Sequence, residues 1–170
     1  SNQVQNLMQD LKQQSFIKSI SAVQSMPGDN ESGRSVRKLN TDITGMPIAS
    51  CRSDGNIIKT LKLQLLAGKE LPETIADGDS IIYTLINEKI LNYLDYKSPE
   101  EAVGNNINTE LGSRAVITGV VANFNFNSLK EDIGGYMYYK ANQAPERVRM
   151  LLLRYHGQNL QHLIGHLKSV

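Results

Sequence analysis

Ala67-Gly68-Lys69-Glu70 is the stretch of this chain that most resembles a phosphate-binding loop, and it fails on spacing. Such a loop needs a glycine five residues ahead of the Gly-Lys pair and a Ser or Thr after the lysine to hold magnesium. Here those positions hold Leu63 and Glu70. His162 and His166 lie four apart on an expected helix, with His156 nearby, a spacing that can offer two imidazoles to one metal. Both fall off the apolar stripe of that helix, and neither a cysteine nor an acidic residue within the helix completes a ligand set. They read as a solvated polar face. The carboxylate pairs Glu100 with Glu101 and Asp77 with Asp79 are candidates for acid–base work, which needs two carboxyl groups placed across a substrate with separated pKa values. Glu100 and Glu101 are better explained as helix-capping residues, and Asp77 and Asp79 as parts of a polar turn. No G-x-S-x-G nucleophile elbow and no H-E-x-x-H zinc motif occurs. The chain is therefore expected to have no catalytic residues, no cofactor and no metal, and not to be an enzyme.

Two further features stand out. Cys51, the single cysteine, sits in the strand-like run MPIASCRSD and reads as a small buried apolar side chain. Asn123-Phe124-Asn125-Phe126 is the most unusual short string. Alternation puts Phe124 and Phe126 on one face and the amides on the other, either as a strand end with core phenylalanines or as a contact surface between two lobes or with a second subunit.

Eighteen basic against seventeen acidic residues leave a net charge of +1 over 170 residues. That balance argues against a nucleic-acid groove, which needs concentrated Lys and Arg to displace counterions, and also against a binder of anionic membrane surfaces. Tryptophan is absent, so an aromatic stacking platform is not expected. No run approaches the ~20 apolar residues that span a bilayer, and no basic-then-apolar signal sequence opens the chain.

The elements that position these residues follow from periodicity. Val4, Leu7, Met8 and Leu11 share one face of an opening helix. A strand over 17–23 puts Ile17, Ser19, Ser21 and Val23 on one face against Lys18, Ile20 and Ala22. Strands are expected over 34–40 and 46–52. Asp54 is the expected N-cap of a short helix carrying Ile57, Ile58 and Leu61. Residues 63–66 run extended into Ala67-Gly68, where glycine permits a turn. A strand over 80–86 leads into a helix capped by Asn87, and Ser98-Pro99-Glu100-Glu101 has the form of a capping box that ends at Gly104. Residues 106–110 and 115–126 read as a hairpin, with Val116, Thr118, Val120, Ala122, Phe124 and Phe126 on one face and Gly119 marking a bulge or close backbone approach. Gly134-Gly135 precedes a strand ending at Lys140, a strand covers 147–155, and Leu160, Leu163, Ile164 and Leu167 mark a closing helix. The strands and helices at the two chain ends are expected to share one sheet. The polar links over 72–79 and 141–146 set off a middle segment.

The blocks LKLQLLAGKEL, SIIYTLINEKILNYLDYKSPEEAVGNNI and AVITGVVANFNFNSL, in that order and spacing, resemble the extracytoplasmic domain of MacB-like (FtsX-like) ABC transporter permeases of the Bacteroidetes type. In that family an L-L-A-G-R turn is followed by I-N-E, a helix, P-E-E-A-I/V-G and I-x-G-V-V-x-D-F-H-F-x-S-L. The match runs from about Asp54 to Leu129, and the tail resembles the family's closing segment less specifically. Lys69 stands where the family usually has Arg, Asn123 where it has Asp and Asn125 where it has His. The resemblance implies a mixed α/β (α+β) fold of two lobes. A discontinuous, membrane-proximal porter-like βαβ lobe (1–70 plus 141–170) would carry an inserted distal sabre-like lobe (71–140). It also implies that Ser1-Asn2 is a cloning scar, that the chain is an excised loop between two membrane helices cut before the family's usual C-terminal stretch, and that the domain sits in the periplasm at the inner membrane. The partners implied are a second copy of the permease, a cytoplasmic ATP-binding subunit or domain, and a periplasmic partner or a peptide or lipid substrate, with no nucleic acid. The alternative is a free-standing soluble α/β binding protein.

Overall fold

In the computed structural model, residues 2–26, 28–29, 32–38, 45–112, 114–125, 132–142, 148–156 and 164–165 are described, residues 2–5 by their backbone only. In chain order the elements are α1 (Asn2–Lys12), β1 (Ile17–Val23), β2 (Ser32–Arg37), β3 (Met46–Arg52), α2 (Ile57–Leu61), β4 (Leu65–Gly68), β5 (Ile82–Asn87), α3 (Glu88–Tyr93), α4 (Pro99–Ala102), β6 (Asn106–Thr109), β7 (Ala115–Val121), β8 (Gly135–Lys140) and β9 (Met150–Tyr155). This is the mixed α+β fold expected. Of the closing helix only Ile164 and Gly165 are described, both helical. Val4's side chain, His162, His166, Leu160, Leu163, Leu167 and Phe126 lie outside the described residues or side chains.

Seven strands form one sheet in the order β4-β7-β5-β8-β3-β2-β6, and β6 pairs with β7 as well. The second pairing closes the sheet into a ring: β7-β5-β8-β3-β2-β6 and back to β7. β5 runs along one edge of β7 from Ala115 to Val121, while the opposite edge takes β6 at Ala115 and Val116 and β4 from Gly119 to Val121. Each ring strand turns an apolar residue into one cluster: Val36, Ile48, Ile86, Ile107, Ile117 and Met137. That cluster is the interior of the closed sheet. Ile90 and Leu91 of α3 and Ala102 of α4 join it.

β1 and β9 form a separate antiparallel two-stranded sheet, from Ile17 opposite Tyr155 to Val23 opposite Met150. The two chain ends thus share a sheet, as expected. One bridge, Val23 to Ser53, joins it to the end of β3, with Gln24 N–H donating to Arg52 O and Asp54 N–H to Ala22 O, both at 2.9 Å. A second apolar cluster lies between the sheets and holds Val23, Cys51, Ile57, Leu71, Leu85, Tyr136 and Tyr138. α1 covers the other face of β1 and β9, where Leu11 and Ile20 are buried with Leu7, Met8, Leu151 and Leu153 against them.

Three details correct the sequence expectations. Ile17 shares the α1-facing cluster with Ile20, because Lys18 is an extra residue in the β1–β9 register and shifts the alternation by one. β2, β3 and β4 hydrogen-bond into the same sheet as β5 to β8, so the boundary expected at 70/71 does not separate two sheets. β7 ends at Val121 rather than at 126, and a bulge opposite Thr84 and Leu85 breaks its alternation, so that Ala115, Ile117 and Val120 all face the interior.

Candidate functional site

Asn123, Phe124 and Asn125 follow β7 after Ala122, and the first two are held by contacts with α3 and β8. Asn123 N–H donates to Glu88 Oε2 at 2.9 Å, and Asn123 Oδ1 accepts from Lys89 N–H at 3.0 Å. This reciprocal clamp fastens the end of β7 to the first turn of α3, where backbone N–H groups lack intrahelical partners. Phe124 points inward. Its ring lies edge-on to Tyr136 at 5.1 Å and stacks on Tyr138 at 6.1 Å, while those two tyrosines are 4.8 Å apart. Aromatic pairs at such separations add to simple area burial. Asn125 is exposed. Phe124 therefore belongs to the core between the sheets, and the two amides face outward, as alternation predicts.

Asn87 is fully buried and satisfied. Its Oδ1 accepts from Ile90 N–H at 3.3 Å, capping α3 as expected, and from Tyr136 N–H at 3.0 Å, while its Nδ2 donates to Gly134 O at 2.8 Å. One amide thus locks the end of β5, the start of α3 and the start of β8 together. Ser98 caps α4 by accepting from Glu101 N–H, and Glu101 Oε2 accepts from Lys97 N–H at 2.7 Å, one residue earlier than a standard capping box reaches.

Gly68 to Glu70 is a structural turn. Gly68 has φ +78°, and a Cβ at Gly119, its partner across β4 and β7, would lie 2.6 Å from Lys69 O and 2.9 Å from Leu85 Cδ2. The expected close approach at Gly119 is thus real. Glu70 supplies what sequence reasoning assigned to Asp54. Asn56, in the left-handed region, occupies the N-cap of α2 without a side-chain hydrogen bond, and Glu70 Oε2 accepts from Ile58 N–H at 2.6 Å. Burial raises the Glu70 carboxyl above its ordinary value, against the pull of the N–H groups of Ile58, Leu71, Ile57 and Lys59. No local pattern announces this cap, because it comes from beyond the next strand.

Asp79 accepts from Ile81 N–H and from the Tyr83 hydroxyl, and these bonds lower its pKa. Cys51 is fully buried. His156 is exposed, and its backbone N–H donates to Phe16 O at 2.8 Å. Among the described residues no three His, Cys, Asp or Glu side chains converge on a point that could hold a metal, and no helix is long and apolar enough to cross a membrane.

No family model matches the chain, and no curated protein matches it. Solved structures do share its fold. The periplasmic region of MacB from Actinobacillus actinomycetemcomitans superposes with a TM-score of 0.59 at 16% identity, covering 95% of this chain and 71% of that one. The extracellular domain of the noncanonic ABC-type transporter YknZ from Gram-positive bacteria gives 0.57 at 15% identity, covering 93% and 75%.

Proposed function

We propose that this chain is the extracytoplasmic domain of a MacB-like, FtsX-like ABC transporter permease. In this reading it carries the ATP-driven motion of membrane helices to substrates or partners outside the inner membrane. One observation supports it beyond the fold. Ile17, where β1 begins, lies opposite Tyr155, where β9 ends, and the His156 backbone N–H bonds to Phe16 O. β1 therefore begins on the side of this sheet where β9 ends, an arrangement that fits a loop between two packed membrane helices. α1, β1, α2 and β9 would form the membrane-proximal part, and the closed sheet the distal one. The functional partners would be a second copy of the permease and a cytoplasmic ATP-binding subunit or domain. Export, lipoprotein or peptide handling, and control of a cell-wall hydrolase all fit such a domain, because fold alone does not select among them.

The test is to express the full-length gene product and fractionate the cells. The protein is expected in the inner membrane, with this domain cleaved by protease only from the periplasmic side. Recovery in the soluble fraction overturns the reading.

A further inference from the structure

A basic cleft runs along the start of β1, between the end of α1 and α2. Lys12, in the last turn of α1, Lys18 and Lys59 of α2 line one concavity of about 240 Å³, together with Ile17 and Glu73. Each lysine is placed there by local structure. Lys18 is the extra residue of the β1 bulge, which lifts its side chain out of the β1–β9 register. Lys59 is fixed by two contacts on either side of it: Ser19 and Thr60 share a hydrogen bond of 2.6 Å, and Arg154 Nη1 donates to Lys59 O at 3.0 Å. Arg154, opposite Ser19 in the register, adds a fourth cation beside the cleft.

Three ammonium groups against the one carboxylate of Glu73 are a strong local enrichment in a chain whose net charge is +1. The ion pairs found among the described residues, Arg37 with Glu110 and Lys38 with Asp95, do not engage these lysines. The start of β1 also lies beside an interfacial side chain. Tyr155 is 41% exposed opposite Ile17, and tyrosine favours the headgroup level, where its ring is half desolvated and its hydroxyl stays wet.

We propose that this cleft is a contact site for the phosphate headgroups of anionic lipids, and that it holds the domain upright on the bilayer. The proposal rests on the membrane-tethered reading above, because only a domain held at the bilayer with the start of β1 and the end of β9 toward it would present this cleft to lipid. A lysine near an anionic surface contributes about 1 kcal/mol. Three such contacts are weak for a free domain but effective for one already held at the surface, where the local concentration is high.

The experiment is vesicle co-sedimentation of the 170-residue chain. Neutral phosphatidylcholine vesicles are compared with vesicles containing phosphatidylglycerol. A triple variant Lys12→Gln, Lys18→Gln, Lys59→Gln is set against a charge-matched control, Lys69→Gln, Lys89→Gln, Lys97→Gln, which removes three exposed lysines elsewhere. The expected result is binding to the anionic vesicles alone, lost at about 0.3 M salt, weakened about tenfold or more by the first triple variant and little changed by the control. Equal loss in both variants means unspecific charge attraction and overturns the site. A saturable response of the Ile17 and Ser19 amides to glycerol phosphate, with no vesicle binding, identifies a soluble phosphate ligand and overturns the membrane contact. If fractionation finds the full-length protein in the inner membrane while the first triple variant binds vesicles like wild type, the headgroup contact fails and the permease reading stands.

Discussion

In the closed sheet, six strands turn Val36, Ile48, Ile86, Ile107, Ile117 and Met137 into one apolar interior. In the β1–β9 sheet, the β1 face toward α2 carries hydroxyls instead. Ser19 bonds to Thr60, and Ser21 Oγ lies 3.0 Å from Ser53 Oγ and donates to Gly55 O at 2.8 Å. The two regions meet through one bridge and a small aromatic-rich core. Burying a large apolar side chain stabilises by roughly 1.5–3 kcal/mol, and a neutral hydrogen bond by a net of about 0.5–1.5 kcal/mol. The comparison teaches that stiffness is unevenly distributed. The ring has an apolar core of its own, while the β1–β9 sheet adds hydroxyl bonds on its α2 side to the apolar cover of α1.

The largest expected effect comes from breaking the ring's interior. Ile86→Ala should cost about 2–5 kcal/mol and lower the urea midpoint without changing the m-value. A loss below about 1 kcal/mol would mean that the interior is not packed as described. Next is Asn87→Ala, which leaves Ile90 N–H, Tyr136 N–H and Gly134 O without their buried partner. About 2–3 kcal/mol is expected, again as a global loss, because the amide belongs to the ring. A purely local loss confined to α3 in hydrogen exchange would contradict its role as a three-way lock.

A smaller effect sharpens the contrast. A double-mutant cycle on Ser19→Ala and Thr60→Val should give a coupling of about 0.5–1.5 kcal/mol. Hydrogen exchange should show β1 and β9 amides opening more readily while those of β5 and β8 keep their protection. Uniform acceleration would show that the two regions unfold as one unit. The smallest effect concerns the seam where β2 meets β6. Glu110 accepts from both the N–H and the hydroxyl of Ser35, and Arg37 lies 3.9 Å away. Burial opposes ionisation of Glu110, but the Ser35 bonds, its own N–H and Arg37 outweigh it and hold its carboxyl below the ordinary value. A lowered folded pKa adds stability that is present above the unfolded carboxylate range and is lost as pH falls through the folded value. Glu110→Gln should therefore flatten the acid limb of the stability profile, by no more than about 1 kcal/mol because the pair is half exposed. An unchanged profile would remove Glu110 from the seam.

Much of this was legible in the sequence because the signals were local. Asn87, Ser98-Pro99 and Gly104 announced the helix ends, Gly119 announced the close approach, and the alternation of Phe124 with its flanking amides fixed which side faced the core. What escaped was set by distant partners. Glu70 reaches back over β4 to cap α2, Asn123 clamps Glu88 and Lys89, and the bulge at Lys18 reverses the face of Ile17 with no mark in residue type. The closure of the ring depends on β6 pairing with both β2 and β7, two short contacts that periodicity cannot register. The basic cleft was hidden for the same reason: Lys12, Lys18 and Lys59 are unremarkable until the fold gathers them.

The antiparallel pairing of β1 with β9 also fixes how the molecule responds to force. Tension that separates Ile17 from Tyr155 acts on the pair at one extremity of that sheet. Such loading peels a hairpin-like ladder one rung at a time from the pulled end toward Val23 and Met150, at far lower force than sliding the strands past each other would need. The ring strands lie outside the line of pull until the ladder has opened. Single-molecule stretching with handles at Ile17 and Tyr155 should show a low-force, graded extension first and a sharp high-force rupture afterwards. With the same handles placed at Val23 and Tyr155, which load the strands in shear, the first event should move to higher force.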